Sequence, residues 1–268
     1  MRPRELILGA VAYDAQVVPI WEGFRAYFLA SGLPLDFVLY STYERQVEAH
    51  LRGELDVAWN SPLAWIRTLR AAEAAHRRAE AIAMRDTDRD LTSVVVVRAG
   101  GPIGDARALA GKRIGVGASD SPQATLIPLE ALAEAGVTGT VVRHDLLVGK
   151  HGDHVGGERE AIKSLLAGDV DCACVINGNY HAFAREGLFG TGELRVVLQT
   201  APYDHCNFTV LDGGPPEIAA FRELLLAMSY DDPSVRPLLD LEGLTAWLPG
   251  RTTGYALLAR AVDRLGMP

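Results

Sequence analysis

The feature that most constrains the fold is a regular alternation of short apolar runs with longer segments of helical periodicity. The apolar runs have the length of single β-strands and lie at 5–12, 35–40, 55–59, 79–84, 92–98, 112–117, 140–143, 170–175, 194–199 and 207–211. The helical patterns lie at 17–31, 43–52, 61–77, 124–135, 158–167, 178–186, 215–229 and 253–265. Strands that alternate with helices form parallel sheets covered by helices on both faces. The sequence therefore predicts an α/β protein.

The size and composition favour two globular lobes and disfavour several kinds of partner. The chain has 268 residues, of which 49% are hydrophobic and 22% are charged. This length is comfortable for two lobes of roughly 100–150 residues each. The net charge of −8 disfavours a nucleic-acid partner, which would require a basic face. Because no apolar stretch approaches the roughly 20 residues of a membrane span, we expect no membrane insertion.

An internal repeat supports the division into two similar lobes. The segment VEAHLRGELDVA at 47–58 resembles IKSLLAGDVDCA at 162–173. Both segments have the pattern of a helix, a glycine that ends it, an acidic turn and a buried strand. Gly53 and Gly168 suit the left-handed backbone that commonly ends a helix. The alternative is that the likeness is coincidental, since helix–glycine–strand junctions are common in α/β proteins.

Two extended segments flank a central block of about 100 residues and predict where the lobes are joined. We expect the strands at 92–98 and 207–211 to be paired crossovers that act as a hinge. Lobe one would then be 1–95 plus 207–268, and lobe two would be 96–206. The prediction is two Rossmann-like lobes joined by two crossover strands, with a ligand cleft between them.

The polar residues that follow predicted strands are the candidate ligand contacts, because ligands of open α/β sheets bind beyond the carboxyl ends of the strands. The candidates after the first and third strands are Tyr13, Asp14, Asn60 and Ser61. Asp14 is alternatively only the cap of the helix that follows it. Pro62 suits the first turn of the next helix, which leaves Asn60 or Ser61 as its cap, and a cap at this edge can also contact the ligand. A second set, Ser119, Ser121 and Gln123, lies before a predicted helix, where hydroxyl and N–H groups favour an anion or a polar group.

A glycine-rich loop at 149–158 combines histidines with carboxylates. We predict that His151, His154 and Glu158 contact the ligand. Together with Asp153 they are also candidate metal ligands, since imidazole and carboxylate groups suit an oxygen and nitrogen site. The alternative is a polar loop without either role. Asn177, after the strand at 170–175, and His205, on a predicted crossover, complete the predicted ligand site.

The three cysteines, Cys172, Cys174 and Cys206, show no disulfide spacing, and we expect buried thiols. Cys172 and Cys174 are two apart in a predicted strand, so both side chains should lie on one face. Cys206 and His205 are adjacent in a predicted strand and should point to opposite faces, which disfavours a nucleophile–base pair.

Four phrases in order resemble the phosphonate and phosphate substrate-binding proteins of ABC transporters, which have the type II periplasmic-binding-protein fold. They are GELDVAWNSP at 53–62, LAGKRIGV at 109–116, GGE at 156–158 followed by Ala161, and GDVD at 168–171. The resemblance implies a small polar ligand, no cofactor and a serine-rich binding loop at 118–125. The chain departs from the family at Glu158, where a Gly-Gly-His loop would place a histidine. A carboxylate repels an oxyanion, so this departure disfavours phosphonate or phosphate.

The sequence therefore predicts a solute-binding protein that closes on a small polar molecule. The alternative is a cytoplasmic enzyme on the same fold, of lyase or biosynthetic type, that uses cleft histidines and carboxylates and possibly a metal. The run at 6–12 reads as a strand and not as a secretion signal, which predicts a cytoplasmic location. If a leader was removed, a periplasmic or extracellular location and an ABC permease partner are expected instead.

Overall fold

The computed structural model describes residues 4–12, 15, 17–145 and 154–266, except for the side chain of His154. The chain divides into two compact units, which we call unit 1 and unit 2. Unit 1 comprises Met1–Arg89 and Asp204–Tyr255, and unit 2 comprises Asp90–Tyr203 and Ala256–Pro268.

The strands of unit 1 are β1 (Leu6–Val11), β2 (Leu35–Tyr40), β3 (Val57–Asn60), β4 (Ala79–Arg85), β10 (Asn207–Leu211) and β11 (Trp247–Pro249). Those of unit 2 are β5 (Ser93–Arg98), β6 (Arg113–Val116), β7 (Thr140–Arg143), β8 (Cys172–Ile176) and β9 (Leu194–Gln199). The helices of unit 1 are α1 (Val17–Ala30), α2 (Tyr43–Leu51), α3 (Pro62–Ala74), α7 (Glu217–Leu226) and α8 (Arg236–Glu242). Those of unit 2 are α4 (Ile127–Glu134), α5 (His154–Ala167), α6 (Asn177–Arg185) and α9 (Ala256–Leu265).

The two sheets share one strand arrangement. In unit 1 the order is β11-β4-β10-β3-β1-β2, and in unit 2 it is β7-β6-β8-β5-β9. In each sheet three neighbouring strands are parallel, namely β2, β1 and β3 in unit 1 and β7, β6 and β8 in unit 2. The next strand, β10 or β5, is antiparallel to both of its neighbours. The sheets are therefore mixed, and not wholly parallel as the sequence predicted.

Aromatic side chains fill the core of unit 1. Trp21 and Phe24 from α1 pack with Phe208 of β10 and Trp247 of β11, at ring-centroid separations of 5.2–6.1 Å. Burial of such large apolar surfaces is the main stabilising contribution to the fold. In unit 2, Cys172 and Cys174 lie together in one core cluster, as the alternation of side chains along a strand predicted. The three cysteines are free and buried, which agrees with the expectation from their spacing.

The internal repeat has the structure that was predicted for it. Gly53 follows α2 with φ of +76°, and Gly168 follows α5 with φ of +86°. The Gly53 N–H donates to the carbonyl of His50 at 3.0 Å, and the Gly168 N–H donates to that of Leu165 at 3.2 Å. Because a side chain is strained at positive φ, glycine suits both helix ends.

The connections between the units differ from the prediction. The chain passes from unit 1 to unit 2 at Arg89 and Asp90, and it returns at Tyr203 and Asp204. The strands predicted as crossovers are thus not shared, since β5 lies in the sheet of unit 2 and β10 in that of unit 1. Each of these strands follows a crossing and lies in the sheet of the unit that the chain has just entered.

The C-terminal helix α9 belongs to unit 2, whereas the sequence assigned it to lobe one. Arg264 of α9 donates to the buried carboxylate of Glu130 on α4, with its Nε 2.6 Å from Oε2. Arg260 donates to Glu134, one turn further along α4, at 2.9 Å. These ion pairs join α9 to α4, and neither pair can be read from the local pattern of the sequence.

None of the helices in the described ranges has the length and apolar character needed to cross a bilayer.

Candidate functional site

Two loops and the start of α5 meet at the carboxyl edge of the unit 2 sheet, where β7, β6 and β8 end side by side. Gly157, in the first turns of α5, lies against this edge. A Cβ atom at Gly157 would be 2.7 Å from the carbonyl oxygen of His144, after β7, and 3.3 Å from the backbone N of Ala118, after β6. Only glycine allows so close an approach. The loops after β6 and β7 and the start of α5 therefore form one surface, as the sequence predicted for strand ends.

The serine-rich segment after β6 is shaped by its own hydrogen bonds. Ser121 is fully buried, and its Oγ accepts a hydrogen bond from the Ala124 N–H at 3.2 Å. Thr125 Oγ1 donates to the carbonyl of Ala118 at 2.7 Å. Ser121 thus caps the π-helical turn at Pro122–Leu126 that leads into α4. Ser119, in contrast, is exposed, and its contact with a ligand stays a prediction.

Gln123 lies beside a buried pair of hydroxyl groups. Its backbone carbonyl accepts a hydrogen bond from Ser93 Oγ at 2.5 Å, and Ser93 Oγ lies 2.7 Å from the hydroxyl of Tyr203. Burial raises the pKa of Tyr203, and the negative charge of Glu158 acts in the same direction. The Gln123 side chain is 7% exposed, and its Oε1 has no hydrogen-bond partner among the described residues. Such a buried acceptor is costly unless a ligand or a water supplies a donor.

Glu158 connects α5 with α6 at the same edge. Its carboxylate is fully buried, and Oε2 accepts hydrogen bonds from the Ile176 N–H at 3.1 Å and from Asn179 Nδ2 at 2.9 Å. Asn177 is half-buried, and its N–H donates to the carbonyl of Thr92 at 2.8 Å. The structure therefore brings Glu158 and Asn177 to one edge, together with the Ser119–Gln123 segment. Sequence reasoning missed Ser93 and Tyr203, which carry no local signal and reach this edge from β5 and from the return to unit 1.

In unit 1, Asn60 lies at the end of β3 but bonds within the protein. Asn60 is fully buried, accepts a hydrogen bond from Gln46 Nε2 at 2.8 Å and donates to Thr209 Oγ1 at 2.9 Å. Ser61 caps α3 by accepting from the Ala64 N–H at 3.3 Å, with Pro62 in the first turn as predicted. These bonds assign both residues a structural role, and their ligand contacts stay a prediction.

Several predicted site residues lie outside the described part of the chain. They are Tyr13, Asp14, His151 and Asp153, and the side chain of His154 is likewise not described. The predicted metal site in the 149–158 loop therefore stays a prediction.

A second polar cluster in unit 1 surrounds the side chain of Asp88, which is 2% exposed. Arg85 donates two hydrogen bonds to the two Asp88 oxygens, at 2.6 and 3.0 Å, and it contacts Glu242 Oε1 at 3.2 Å. Burial raises the pKa of Asp88, but the charge of Arg85 and the hydrogen bonds from His205 and Arg85 together outweigh this effect and lower that pKa to about 2. Burial raises the pKa of Glu242 to about 7 against the opposing charge of Arg85.

His205 contacts both Cys206 and Asp88 through one ring nitrogen. Its Nδ1 lies 3.1 Å from Cys206 Sγ and 3.4 Å from Asp88 Oδ1. The expectation that the side chains of His205 and Cys206 point to opposite faces is wrong, since the two side chains are in contact. Both residues precede β10, which begins at Asn207, so the alternation of side chains along a strand does not apply to them. In a nucleophile–base–acid triad the nucleophile and the acid use opposite nitrogens of the imidazole. Here both use Nδ1, so the cluster does not have that arrangement.

Solved structures with the same architecture identify the fold of this protein. XAC2383 from Xanthomonas citri, bound to ATP, is 18% identical with a TM-score of 0.72, and the match covers 98% of each chain. PhnD1 from Prochlorococcus marinus (MIT 9301), in complex with methylphosphonate, is 17% identical with a TM-score of 0.68, over 99% of this chain and 100% of its own. The periplasmic aliphatic sulphonate binding protein SsuA from Escherichia coli is 16% identical with a TM-score of 0.57, over 98% and 91%. The fold is that of the type II periplasmic binding proteins.

The family follows from the sequence match. Residues 11–255 match the model of the ABC transporter, phosphonate, periplasmic substrate-binding protein family, and the chain belongs to this family. A comparison with curated proteins found no match. The predicted solute-binding function is confirmed at the level of the family, and it is supported over the enzyme alternative. The family is described as periplasmic, so the predicted cytoplasmic location receives no support from it.

Proposed function

We propose that the chain is the solute-binding component of an ABC importer and holds a small polar solute at the carboxyl edge of the unit 2 sheet. The observation that carries this proposal is the meeting of the exposed Ser119, the buried acceptor of Gln123 and the close-packed Gly157 at that edge. Such edges are where open α/β sheets bind their ligands. Closure of the two units on the solute stays a prediction of the sequence.

The polar groups at this edge favour a solute that donates hydrogen bonds. Gln123 Oε1 can only accept, and Glu158 places a buried carboxylate where the family pattern has a histidine. A plain phosphonate dianion brings further negative charge to a carboxylate in a poorly hydrated position, which is unfavourable. The ligand class that fits is a small solute with an ammonium or hydroxyl group. If the solute also carries an oxyanion, Ser119 and the adjoining helix start can bind that group.

A matched pair of solutes tests the ligand class. Methylphosphonate and aminomethylphosphonate differ by one ammonium group, and their affinities can be measured by isothermal titration calorimetry. We expect aminomethylphosphonate to bind at least tenfold more tightly. Glu158→Gln keeps an acceptor for the Ile176 N–H but removes the charge, so it should narrow that preference to less than threefold. Tighter binding of methylphosphonate by the native protein would contradict the ligand class.

The importer role has its own test. An ABC permease is the partner that the family implies. The members of this family are periplasmic, so the chain would act outside the cytoplasmic membrane. Fractionation of cells that express the full-length gene product should find the protein outside the cytoplasm, and deletion of the gene should reduce solute uptake. Recovery only from the cytoplasm, with unchanged uptake, would contradict the role. Native mass spectrometry then shows whether the bound solute persists unchanged, as a binding protein requires.

A further inference from the structure

The side chains of Asp88, His205 and Cys206 form a compact set of metal-ligating atoms in unit 1. Among the residues that the structure describes, they bring one carboxylate oxygen, one imidazole nitrogen and one thiol sulfur within 4.8 Å of one another. Asp88 is 2% exposed and Cys206 is 7% exposed, whereas the His205 side chain is 20% exposed. Two members of the set are therefore buried, and the third is partly exposed to solvent.

The spacing of these atoms suits a small tetrahedral cation. Bonds of about 2.0–2.3 Å from zinc to nitrogen, oxygen and sulfur place neighbouring ligand atoms roughly 3.3–3.8 Å apart. The Nδ1–Sγ and Nδ1–Oδ1 distances of 3.1 and 3.4 Å are close to that range. A tetrahedral cation bound by these three atoms would have a fourth position for water or another ligand.

The surroundings of the set support a divalent cation. The two hydrogen bonds from Arg85 hold the carboxylate of Asp88 in one orientation, as groups behind metal-bound carboxylates commonly do. Glu242 also faces Arg85, so two carboxylates adjoin one guanidinium. When the Cys206 thiol gives up its proton to solvent and forms the sulfur–metal bond, the added negative charge is compensated by the cation.

We propose that Asp88, His205 and Cys206 form a site for zinc or a similar thiophilic divalent cation. The site joins the end of the first segment of unit 1 to the beginning of its second segment, which are far apart in the chain. Its ligands differ from those predicted in the 149–158 loop, and it is independent of the solute bound at unit 2.

Zinc and cobalt titrations of metal-free full-length protein test the site. We expect one equivalent of Zn²⁺ to bind in competition with a chromophoric chelator, and Co²⁺ to give the near-ultraviolet absorption of a cobalt–thiolate bond. Cys206→Ala should abolish that absorption and weaken Zn²⁺ binding at least 100-fold. His205→Gln should weaken Zn²⁺ binding at least tenfold. His181→Gln, at an exposed histidine outside the cluster, is the matched control and should leave binding unchanged.

Two outcomes would overturn the site. One is the absence of stoichiometric Zn²⁺ binding to the native protein. The other is Zn²⁺ binding that survives both Cys206→Ala and His205→Gln but is lost in the double variant His151→Ala/His154→Ala, which would move the cation to the 149–158 loop. Because solute affinity is measured separately, neither outcome depends on the identity of the solute.

Discussion

Asp56 and Asp171 hold equivalent positions in the two units. Each follows a helix-ending glycine by three residues, and each carboxylate accepts a hydrogen bond from the backbone at the start of a neighbouring strand. The donor to Asp56 is the Ile7 N–H of β1 at 2.9 Å, and the donor to Asp171 is the Arg113 N–H of β6 at 2.8 Å. The N–H of each aspartate donates back to the carbonyl of the same strand residue at 2.9 Å. The acidic position of the repeat thus aligns two parallel strands in each unit.

Replacement of Asp171 by Ala should destabilise unit 2. The variant leaves the Arg113 N–H without its acceptor, and we expect a loss of about 1–3 kcal/mol in the free energy of unfolding. Urea denaturation followed by circular dichroism measures this change. Asp169→Ala, at an exposed position two residues earlier, is the control and should change stability by less than about 0.5 kcal/mol. Equal effects of the two variants would show that the carboxylate of Asp171 does not align the strands.

Replacement of Gly168 by Ala should also be destabilising. With φ of +86°, an alanine there is strained by about 1–2 kcal/mol. Gly178 lies in α6, and apart from its chain neighbours and the backbone of its own helix no described atom lies within 4 Å of a Cβ added there, so Gly178→Ala should be neutral or slightly stabilising. Thermal unfolding of the two variants checks the difference. A stable Gly168→Ala protein would mean that the helix end can relax without cost.

Stability should fall in mild acid because of His50. This residue is 1% exposed, and neither ring nitrogen has a hydrogen-bond partner within the described ranges. Burial lowers the pKa of His50 from 6.5 to about 4, with the charge of Arg77 acting in the same direction. Because the unfolded chain binds the proton more readily, the free energy of unfolding is unaffected above pH 6.5 and decreases as the pH falls from 6.5 towards 4. The full decrease is about 3 kcal/mol, at roughly 1.4 kcal/mol for each unit of pKa difference.

The variant His50→Leu isolates this effect. Without a titrating imidazole, its free energy of unfolding should depend less on pH between 4 and 6.5, and it should exceed that of the native protein at pH 4.5. Denaturant titrations at several pH values give both curves. His181→Gln, at an exposed histidine, serves as the control and should retain the native pH dependence. An unchanged slope in His50→Leu would assign the acid sensitivity to another group.

Replacement of Gly157 by Ala should impair solute binding. The added methyl group would lie 2.7 Å from the His144 carbonyl oxygen, so the loops after β6 and β7 must move apart. We expect the affinity for the solute to fall at least tenfold, since displacements of this size disturb a preorganised site. Calorimetry with aminomethylphosphonate gives the affinity, and Gly178→Ala provides the comparison. Native affinity in Gly157→Ala would place the solute away from this edge.

The sequence predicted the elements well where burial and local pattern coincide. The strands from β1 to β10 are found within about two residues of their predicted bounds, because each is a short apolar run between turn residues, including β7, which is mostly exposed. The strand β11 was missed because it has only three residues, one of them a proline, and α8 because a stretch rich in aspartate and proline precedes it. Both lie where the local pattern is weak and tertiary packing decides the structure.

The candidate site could be predicted only in part for a similar reason. Ser121, Glu158 and Asn177 follow strands that end at one edge, and this property is local in the sequence. The contact of Asp88 with His205 joins residues that are distant in the chain, and it depends on the exact place at which the chain returns to unit 1. No periodicity or spacing in a single sequence encodes such a contact.

The position of β10 has a consequence for the biosynthesis of the protein. Because β10 lies between β3 and β4, the sheet of unit 1 cannot be completed until residues 207–211 have emerged from the ribosome. By then the whole segment from Asp90 to Tyr203, which contains all five strands of unit 2, has already been translated. The sheet whose first strands are translated earliest is therefore the later of the two to be completed. Until residues 207–211 have been translated, β3 and β4 lack the strand that lies between them in the folded protein.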